Sequence, residues 1–442
     1  MKRKFTFIGA GSLDFTRDLV RDILTFEAFQ DCEIMLMDIN EKRLRYARQG
    51  VEKIISAGNY PAMVNATTDR RKALEGADGV LITILQGGVE VWRSDIEIPK
   101  KYGVDICVGD TRGPAGVFRF LRTAPVLLEI IRDVEDVCPD AIVLNYTNPM
   151  AMLVNYLQSK TTVNVTGLCH SVQGTAEILA GWMGILPEEL SYTCAGINHQ
   201  AFFLELKEHG RDVYPRLWEA IEREEVAGEE PVRIEMMRHL GYFPTESSGH
   251  NSEYSAWFRK RPDLIEKYCT HGTGWNPGEY AYILKEYLER ENTWEKEYTD
   301  WLTGEDVDLK RGEEYASNIF NAIFGDGTPY FFNANLKNRN YITNIEQGVC
   351  VEVPVVATQK GIASVQQVTL PYHLSVMINN SAKIEELAVQ AALEGDPQKV
   401  FHAILFDPLT SAVCSMEEIH SMVQEMLEKN ADYLTYFRSL KI

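Results

Sequence analysis

The chain has 442 residues, of which 45% are hydrophobic and 24% charged, with a formal net charge of −20 at pH 7. This is the balance of a globular protein with room for one large domain or two moderate ones, and it leaves no large segment to disorder. So acidic a chain excludes nucleic acid and anionic membrane surfaces as partners, since both need a cationic footprint, but it leaves space for a local basic pocket.

The first ten residues lack the long apolar core and small-residue cleavage site of a signal peptide. No stretch approaches the ~20 apolar residues needed to span a bilayer. Eight cysteines are scattered without a CxxC pair, so no disulfide framework stands out and a reducing cytoplasm is the expected compartment.

The apolar run 5–8 reads as a strand leading into a glycine turn, after which Phe15, Leu19, Ile23 and Phe26 recur at helical spacing. Residues 34–37 form the next predicted strand, followed by a charged helix over 43–55. Strands over 80–85, 106–108, 142–144 and 163–168 continue the series, with a helix over 126–134. This alternation predicts an α/β fold with a doubly wound parallel sheet in the first part of the chain. Beyond it the pattern shifts to longer helical and aromatic segments, with an acidic surface excursion over 219–231. Clusters of β-branched residues predict strands over 349–356 and 361–370. Near the end Ile419, Met422, Val423, Met426 and Leu427 form a helical apolar stripe, read as core or subunit packing. With no repeat and no low-complexity linker, two halves should pack closely.

Ile8-Gly9-Ala10-Gly11-Ser12 follows the first strand and opens a helix. Small residues there let a backbone approach a pyrophosphate, whose charge is favoured by the open amides of a helix N-terminus. Asp14 stands where the third glycine of GxGxxG would be, so the motif alone is weak. Asp38, ending the second strand, strengthens it: a carboxylate there accepts ribose hydroxyls and disfavours a 2′-phosphate, which points to NAD rather than NADP. The plainer alternative is a tight turn plus a solvated aspartate. Gln86-Gly87-Gly88, after the strand 80–85, lies in the same layer of a doubly wound sheet, where an ordinary turn is a close rival reading.

Cys169-His170 follows the strand 163–168, and His199 comes thirty residues later. A thiolate and a neutral imidazole suit a borderline transition metal, although a buried structural cysteine is the blander reading. Asn148, in Asn145-Tyr146-Thr147-Asn148-Pro149, could hydrogen-bond a polyol or simply cap a helix. There is no GxSxG elbow, HExxH or GxxxxGK[ST] to suggest another chemistry.

The segments IGAGS, LMDI, LNYTNPMAM, GLCHSVQGTAE and AGINHQAF, in this order, resemble glycoside hydrolase family 4, and most closely its bacterial α-galactosidase (melibiase) branch. GYFPTESSGHNSEYSAWF, EYASNIFNAI and QGVCVEVP extend the similarity along essentially the whole chain. The resemblance implies a Rossmann-type NAD-binding domain over 1–195, with Gly9, Gly11, Ser12, Asp38 and Gln86 at the cofactor. Over 196–442 it implies an α+β domain like that of lactate and malate dehydrogenases, carrying substrate, metal and subunit contacts. It implies Mn²⁺ or another divalent ion on Cys169 and His199, substrate on Asn148 and on Asp110 of the Asp110-Thr111-Arg112-Gly113-Pro114 loop, Tyr254 as base and His170 as acid. An aspartate follows the metal cysteine in phospho-sugar relatives; His170 stands there instead and leaves the acid's identity open.

The implied reaction hydrolyses an α-glycoside, expected to be an α-galactoside, by oxidation at carbon 3, elimination, water addition and re-reduction, an exception to two-carboxylate glycosidases. A homodimer or homotetramer is expected. The same mechanism on α-glucosides, α-galacturonides or α-glucuronides is the alternative, for which one of Arg93, Arg119 and Arg122 could read a carboxylate if it reached the pocket, Arg112 being the residue unexpected in its loop. Arg93, Arg119 and Arg122 are otherwise expected in structural ion pairs, and His250, His373 and His402 as satisfied or surface histidines. A hydroxy-acid dehydrogenase on the same scaffold, and an inactive NAD-binding regulator, are the competing classes.

Overall fold

The computed structural model describes residues 2–272 and 278–442. Six strands, β1 (Lys4–Ile8), β2 (Glu33–Met37), β3 (Met63–Thr67), β4 (Gly79–Ile82), β5 (Ile142–Asn145) and β6 (Val165–Gly167), pair in parallel in the order 3-2-1-4-5-6. That is the dinucleotide-fold order, with its switch point between β1 and β4. Phe5, Phe7, Ile8, Val80, Leu81 and Ile82 are buried on both faces, which is why these strands read as continuous apolar runs.

The sheet does not stop there. β7 (Leu190–Ile197), β8 (Gln200–Glu208), β9 (Arg211–Asp212), β10 (Phe243–Pro244), β11 (Tyr330–Lys337), β12 (Cys350–Thr358) and β13 (Gly361–Ser364) extend it antiparallel to thirteen strands. The junction is Asn335 of β11 opposite Gly167 of β6. One core cluster joins helices of the parallel half to the C-terminal helices, a second lies on the opposite side, and a third fills the space beneath the β7–β8 hairpin.

Several expectations need correction. Residues 106–108 are not a strand: their neighbourhood in the sheet is closed by the β1–β4–β5 pairings, and the amides of Cys107, Val108 and Gly109 go to the Glu253 carboxylate instead. The strand predicted over 361–370 ends at Ser364, where pairing with β12 stops, and Val368 then makes a single bridge to Ile342. The acidic excursion is exposed at Glu222, Glu224 and Glu225, but Glu230 is fully buried against Arg233. Of the two readings of the apolar stripe on the last long helix, Met416–Lys429, the core one holds, since all five side chains are buried within the chain. No helix among the described residues is long and apolar enough to cross a membrane.

Candidate active site

The carboxyl ends of β5 and β6 and the turn of the β7–β8 hairpin meet where the parallel and antiparallel parts of the sheet join. Asn148 follows β5 and leads into a cis Asn148–Pro149 peptide bond, Cys169 follows β6, and Asn198-His199 makes the two-residue hairpin turn. Glu246 lies after β10, and the short helix Ser248–Glu253 brings His250 and then Tyr254 over the turn. The helix Gly113–Val137 is preceded by Asp110, Thr111 and Arg112.

These residues form one buried cluster. Cys169 Sγ is 3.3 Å from His199 Nε2, and Glu246 Oε1 is 3.2 Å from the same nitrogen. The other ring nitrogen, Nδ1, lies 3.0 Å from Thr111 Oγ1 and 3.3 Å from the Tyr254 hydroxyl. His250 sits between Glu246, at 3.0 Å, and Asp110, at 3.7 Å. The Asn148 amide donates to Asp110 Oδ2 at 3.4 Å, while its Oδ1 is buried without a hydrogen-bond partner among the described residues. His199 (φ +61°) and Glu246 (φ +71°) both take left-handed backbone, a costly conformation for such residues that tends to persist at functional sites.

Burial sets the protonation states, and charge pairing overrides it where carboxylates are close. Desolvation pushes the His199 imidazole down to about 4, so it stays neutral and able to ligate. For His250 burial acts the same way, but Glu246 and Asp110 outweigh it and hold the ring well above the usual imidazole range. Both carboxylates are correspondingly held below theirs despite burial. Burial raises the Cys169 thiol and the Tyr254 phenol, and Arg112, stacked 4.7 Å over the Tyr254 ring, works in the opposite direction on the phenol. Glu352 of β12, buried beside Asn335, is pushed up to about 8 by desolvation.

Cys169 Sγ, His199 Nε2 and Glu246 Oε1 converge closely enough to hold one ion, and a thiolate–imidazole–carboxylate donor set fits a borderline divalent metal. A second convergence, of Asp110, His199 and His250, shares the same imidazole. The glycine turn fits a dinucleotide equally well. Gly9 has φ +89° and a Cβ there would lie 2.2 Å from the Thr83 carbonyl oxygen, so only glycine keeps this cradle. Gly11 N–H donates to Asp38 Oδ2 at 2.7 Å and Asn40 N–H to Oδ1 at 2.8 Å, fixing the carboxylate beside the turn. Ser12 precedes the helix Leu13–Leu24 without capping it by side chain, and Gln86 is half-buried in the loop after β4, across the switch point.

Of the residues singled out from sequence, Cys169, His199, Tyr254, Asn148 and Asp110 come together, while Gly9, Gly11, Ser12, Asp38 and Gln86 flank the switch point. His170 does not join the buried cluster. Its side chain is half exposed, 3.8 Å from Glu314, on the wall of an open cleft of about 290 Å³ with Phe15, Gln173 and Gly174. His250 is satisfied, as expected, but by site carboxylates; His373 and His402 are exposed. Arg112 is buried, paired with Glu385 at 2.9 Å and donating to the Asn198 carbonyl at 2.6 Å. Arg93 pairs with Glu90 and Arg122 with buried Asp95, whereas Arg119 stacks on Trp92 and donates to the Asn148 carbonyl. Glu246, Thr111 and Glu352 were not singled out. The one local signal was the dense polar run 245–254, unusual in being almost wholly buried.

Two profiles of known families cover the chain: family 4 glycosyl hydrolase over residues 4–185, and the family 4 glycosyl hydrolase C-terminal domain over 194–410. The chain belongs to glycosyl hydrolase family 4. Within it, the chain is 38% identical to an α-galactosidase of Rhizobium meliloti (strain 1021), over 98% of this chain and 89% of that one. It is 36% identical to an α-galactosidase of Bacillus subtilis (strain 168), over 99% and 100%. The chain is thus an α-galactosidase-like glycoside hydrolase. Among solved family 4 structures, a 6-phospho-α-glucosidase from gut microorganisms, in complex with NAD and Mn²⁺, superposes with a TM-score of 0.83 at 20% identity, covering 98% of this chain and 99% of that one. A malate dehydrogenase of Cryptosporidium parvum shares the fold at a TM-score of 0.52 and 16% identity, over 89% and 99%.

Proposed function

We propose that this family 4 enzyme is an α-galactosidase that works with NAD and a divalent metal ion, Mn²⁺ being the expected one. The observation that carries the reading is the convergence of Cys169, His199 and Glu246 with Tyr254 and Asn148 at the strand ends beside the glycine turn. The two α-galactosidase relatives supply the sugar. NAD, held by Gly9, Gly11, Ser12, Asp38 and Gln86, would supply reversible hydride transfer, and a divalent ion on Cys169, His199 and Glu246 would supply Lewis acidity. Asn148 and Asp110 present an unpartnered amide oxygen and a carboxylate suited to sugar hydroxyls. Tyr254 is the group placed to take a proton from the sugar, its phenol standing against the imidazole of His199. His170, on the wall of the open cleft, is our proposed donor of a proton to the departing oxygen.

We divide the labour between residues 1–195 for the cofactor and 196–442 for substrate and metal. With all eight cysteines free and buried, we place the enzyme in the cytoplasm, as a homodimer or homotetramer.

A panel of p-nitrophenyl glycosides with NAD⁺, Mn²⁺ and a thiol reductant tests the reading. Release is expected from the α-galactoside, with a primary isotope effect from deuterium at carbon 2; full activity of cofactor-stripped enzyme, or net reduction of NAD⁺ by hydroxy acids alone, would sink it. A second reading, an α-galacturonidase, is favoured by one feature. Arg119 keeps Nη1 buried without a partner among the described residues while touching Asn148, and a relative 27% identical is an α-galacturonidase. The galacturonide arm of the panel separates the two. Arg112, over the Tyr254 ring and paired with Glu385, likewise keeps Nε and Nη1 buried without a hydrogen-bond partner among the described residues and is a second candidate reader.

A further inference from the structure

The segment 104–111 lies in no helix or strand among the described residues, bending at Cys107 and again at Asp110 and Thr111, and its amides are satisfied in an unusual way. Cys107 and Val108 N–H donate to Glu253 Oε2 at 2.9 and 3.0 Å, and Gly109 N–H donates to Oε1 at 2.9 Å. Three successive amides wrapped around one buried carboxylate form an internal anion nest of charge-assisted bonds. The nest cannot shift easily. Gly109 sits at φ +67°, and a Cβ there would lie 2.5 Å from Ile96 Cδ1 and 2.8 Å from Ala115 Cβ.

Directly after the nest come Asp110, which contacts Asn148 and His250, and Thr111, whose hydroxyl is 3.0 Å from His199 Nδ1. Directly after Glu253 comes Tyr254. We infer that Glu253 is a positioning residue for the glycosidase reaction, its carboxylate clamping the loop that carries Asp110 and Thr111 at a fixed distance from Tyr254. The inference rests on the roles proposed above for Tyr254, Asp110 and His199. The Glu253 carboxylate makes no hydrogen bond to Asp110, Thr111, His199 or Tyr254 among the described residues; it acts through the backbone of 107–109. Any slip of the clamp moves Thr111 off His199 and Asp110 off Asn148 together, and a misplacement of about 1 Å at reacting groups costs on the order of 100-fold in rate.

The test compares wild type, Glu253→Gln, Thr111→Val and the double variant as full-length holoenzymes. Glutamine keeps the shape and one acceptor oxygen, which can retain the Cys107 and Val108 bonds, but it removes the charge and turns its NH2 group toward the Gly109 N–H. Glu253→Gln is expected to lower kcat about 100-fold while leaving the NADH Kd and KM within about two-fold. Thr111→Val is expected to lower kcat about 10-fold, and the double variant to be no worse than Glu253→Gln alone, because both changes act through one contact. A kcat within two-fold of wild type in Glu253→Gln, losses that multiply in the double variant, or an equal loss of NADH binding would overturn the inference. If Glu253→Gln does not fold, Glu253→Asp, which withdraws the charge by one methylene, should fold and show a smaller loss of the same kind; full kcat there would overturn it as well. Mn²⁺ affinity, followed by electron paramagnetic resonance on NAD-free protein, keeps this result separable from the functional reading. About 10-fold weakening is expected in Glu253→Gln as His199 loses its Thr111 partner, even if wild type were to turn over no glycoside at all; unchanged affinity in that case would overturn it.

Discussion

Cys169 shows how little a single residue type says until its surroundings are known. All eight cysteines are buried and free, and most sit among apolar side chains, yet Cys169 alone faces an imidazole and a carboxylate that share a convergence point. Burial raises its thiol, so without a cation it is protonated, and a divalent ion held there would stabilise the thiolate. Cys169→Ser replaces a soft ligand by a hard, weakly acidic one. It is expected to weaken Mn²⁺ binding by at least about 10-fold and to abolish metal-dependent activity, with NADH affinity retained; titration of Mn²⁺ by calorimetry checks this, and unchanged affinity rejects the ligand assignment. Arg112 makes the complementary point. Its pairing with Glu385 is buried on both sides, so removing one partner strands the other charge. Arg112→Met is expected to destabilise the fold by about 3–5 kcal/mol, and adding Glu385→Leu to recover much of it. Urea midpoints of the two variants measure this, and a single variant as stable as wild type would deny the pair its structural role.

At the scale of elements, what was legible in the sequence was what repeats locally. β1, β2, β4 and β5 read as strands because each is a mostly apolar run in a sheet covered on both faces, and the turn at Gly9 and Gly11 follows from small residues at fixed offsets. β7, β8 and β11 escaped, since their apolar and polar residues do not alternate cleanly where the strands run into a sheet junction. The misread strand at 106–108 has a specific cause: its β-branched and apolar residues suit a strand, but the partner of its amides is a side chain 145 residues away. For the same reason Glu246 was not singled out and His250 was read only as a satisfied or surface histidine, because tertiary packing alone brings them to the site and no local pattern announces a left-handed glutamate. The loop is also where acid sensitivity should concentrate. Burial pushes the Asp105 carboxyl up, but Arg259 and Lys100 outweigh it and leave it below its ordinary value. A depressed carboxylate contributes stability that is full above its unfolded pKa of about 3.9 and lost as pH falls through the lower folded value. Asp105→Asn also strands the buried Arg259, an expected loss of about 3–5 kcal/mol near neutrality. The gap between wild type and variant should therefore narrow as pH drops below about 4; urea midpoints at pH 7 and pH 3 give the sign, and a gap that widens on acidification would contradict it.

For the whole molecule, the continuous sheet means that a division of labour is not a division of stability. The helices Gly88–Lys101 and Gly113–Val137, which belong to the cofactor half, share one core cluster with Ile384, Ala388, Val400, Ile404 and the stripe Ile419, Met422, Val423, Met426 and Leu427. Each fully buried aliphatic side chain of that stripe contributes roughly 1.5–3 kcal/mol, so the five together match the 5–15 kcal/mol that typically holds a domain folded. The edge at β6 adds to this, since in the intact chain β11 covers it, and an uncovered strand invites pairing with other chains. A fragment of residues 1–195 would expose both the helix faces and that edge. It is expected to lack native near-ultraviolet circular dichroism, to bind a hydrophobic dye strongly and to bind NADH weakly or not at all, although every residue assigned to the cofactor is present. The intact chain is expected to unfold in one transition, with tryptophan fluorescence and far-ultraviolet circular dichroism coinciding. A monomeric fragment that folds and binds NADH with wild-type affinity, or two resolved transitions in the intact chain, would show instead that the cofactor half is stable on its own and that the shared core merely joins two finished domains.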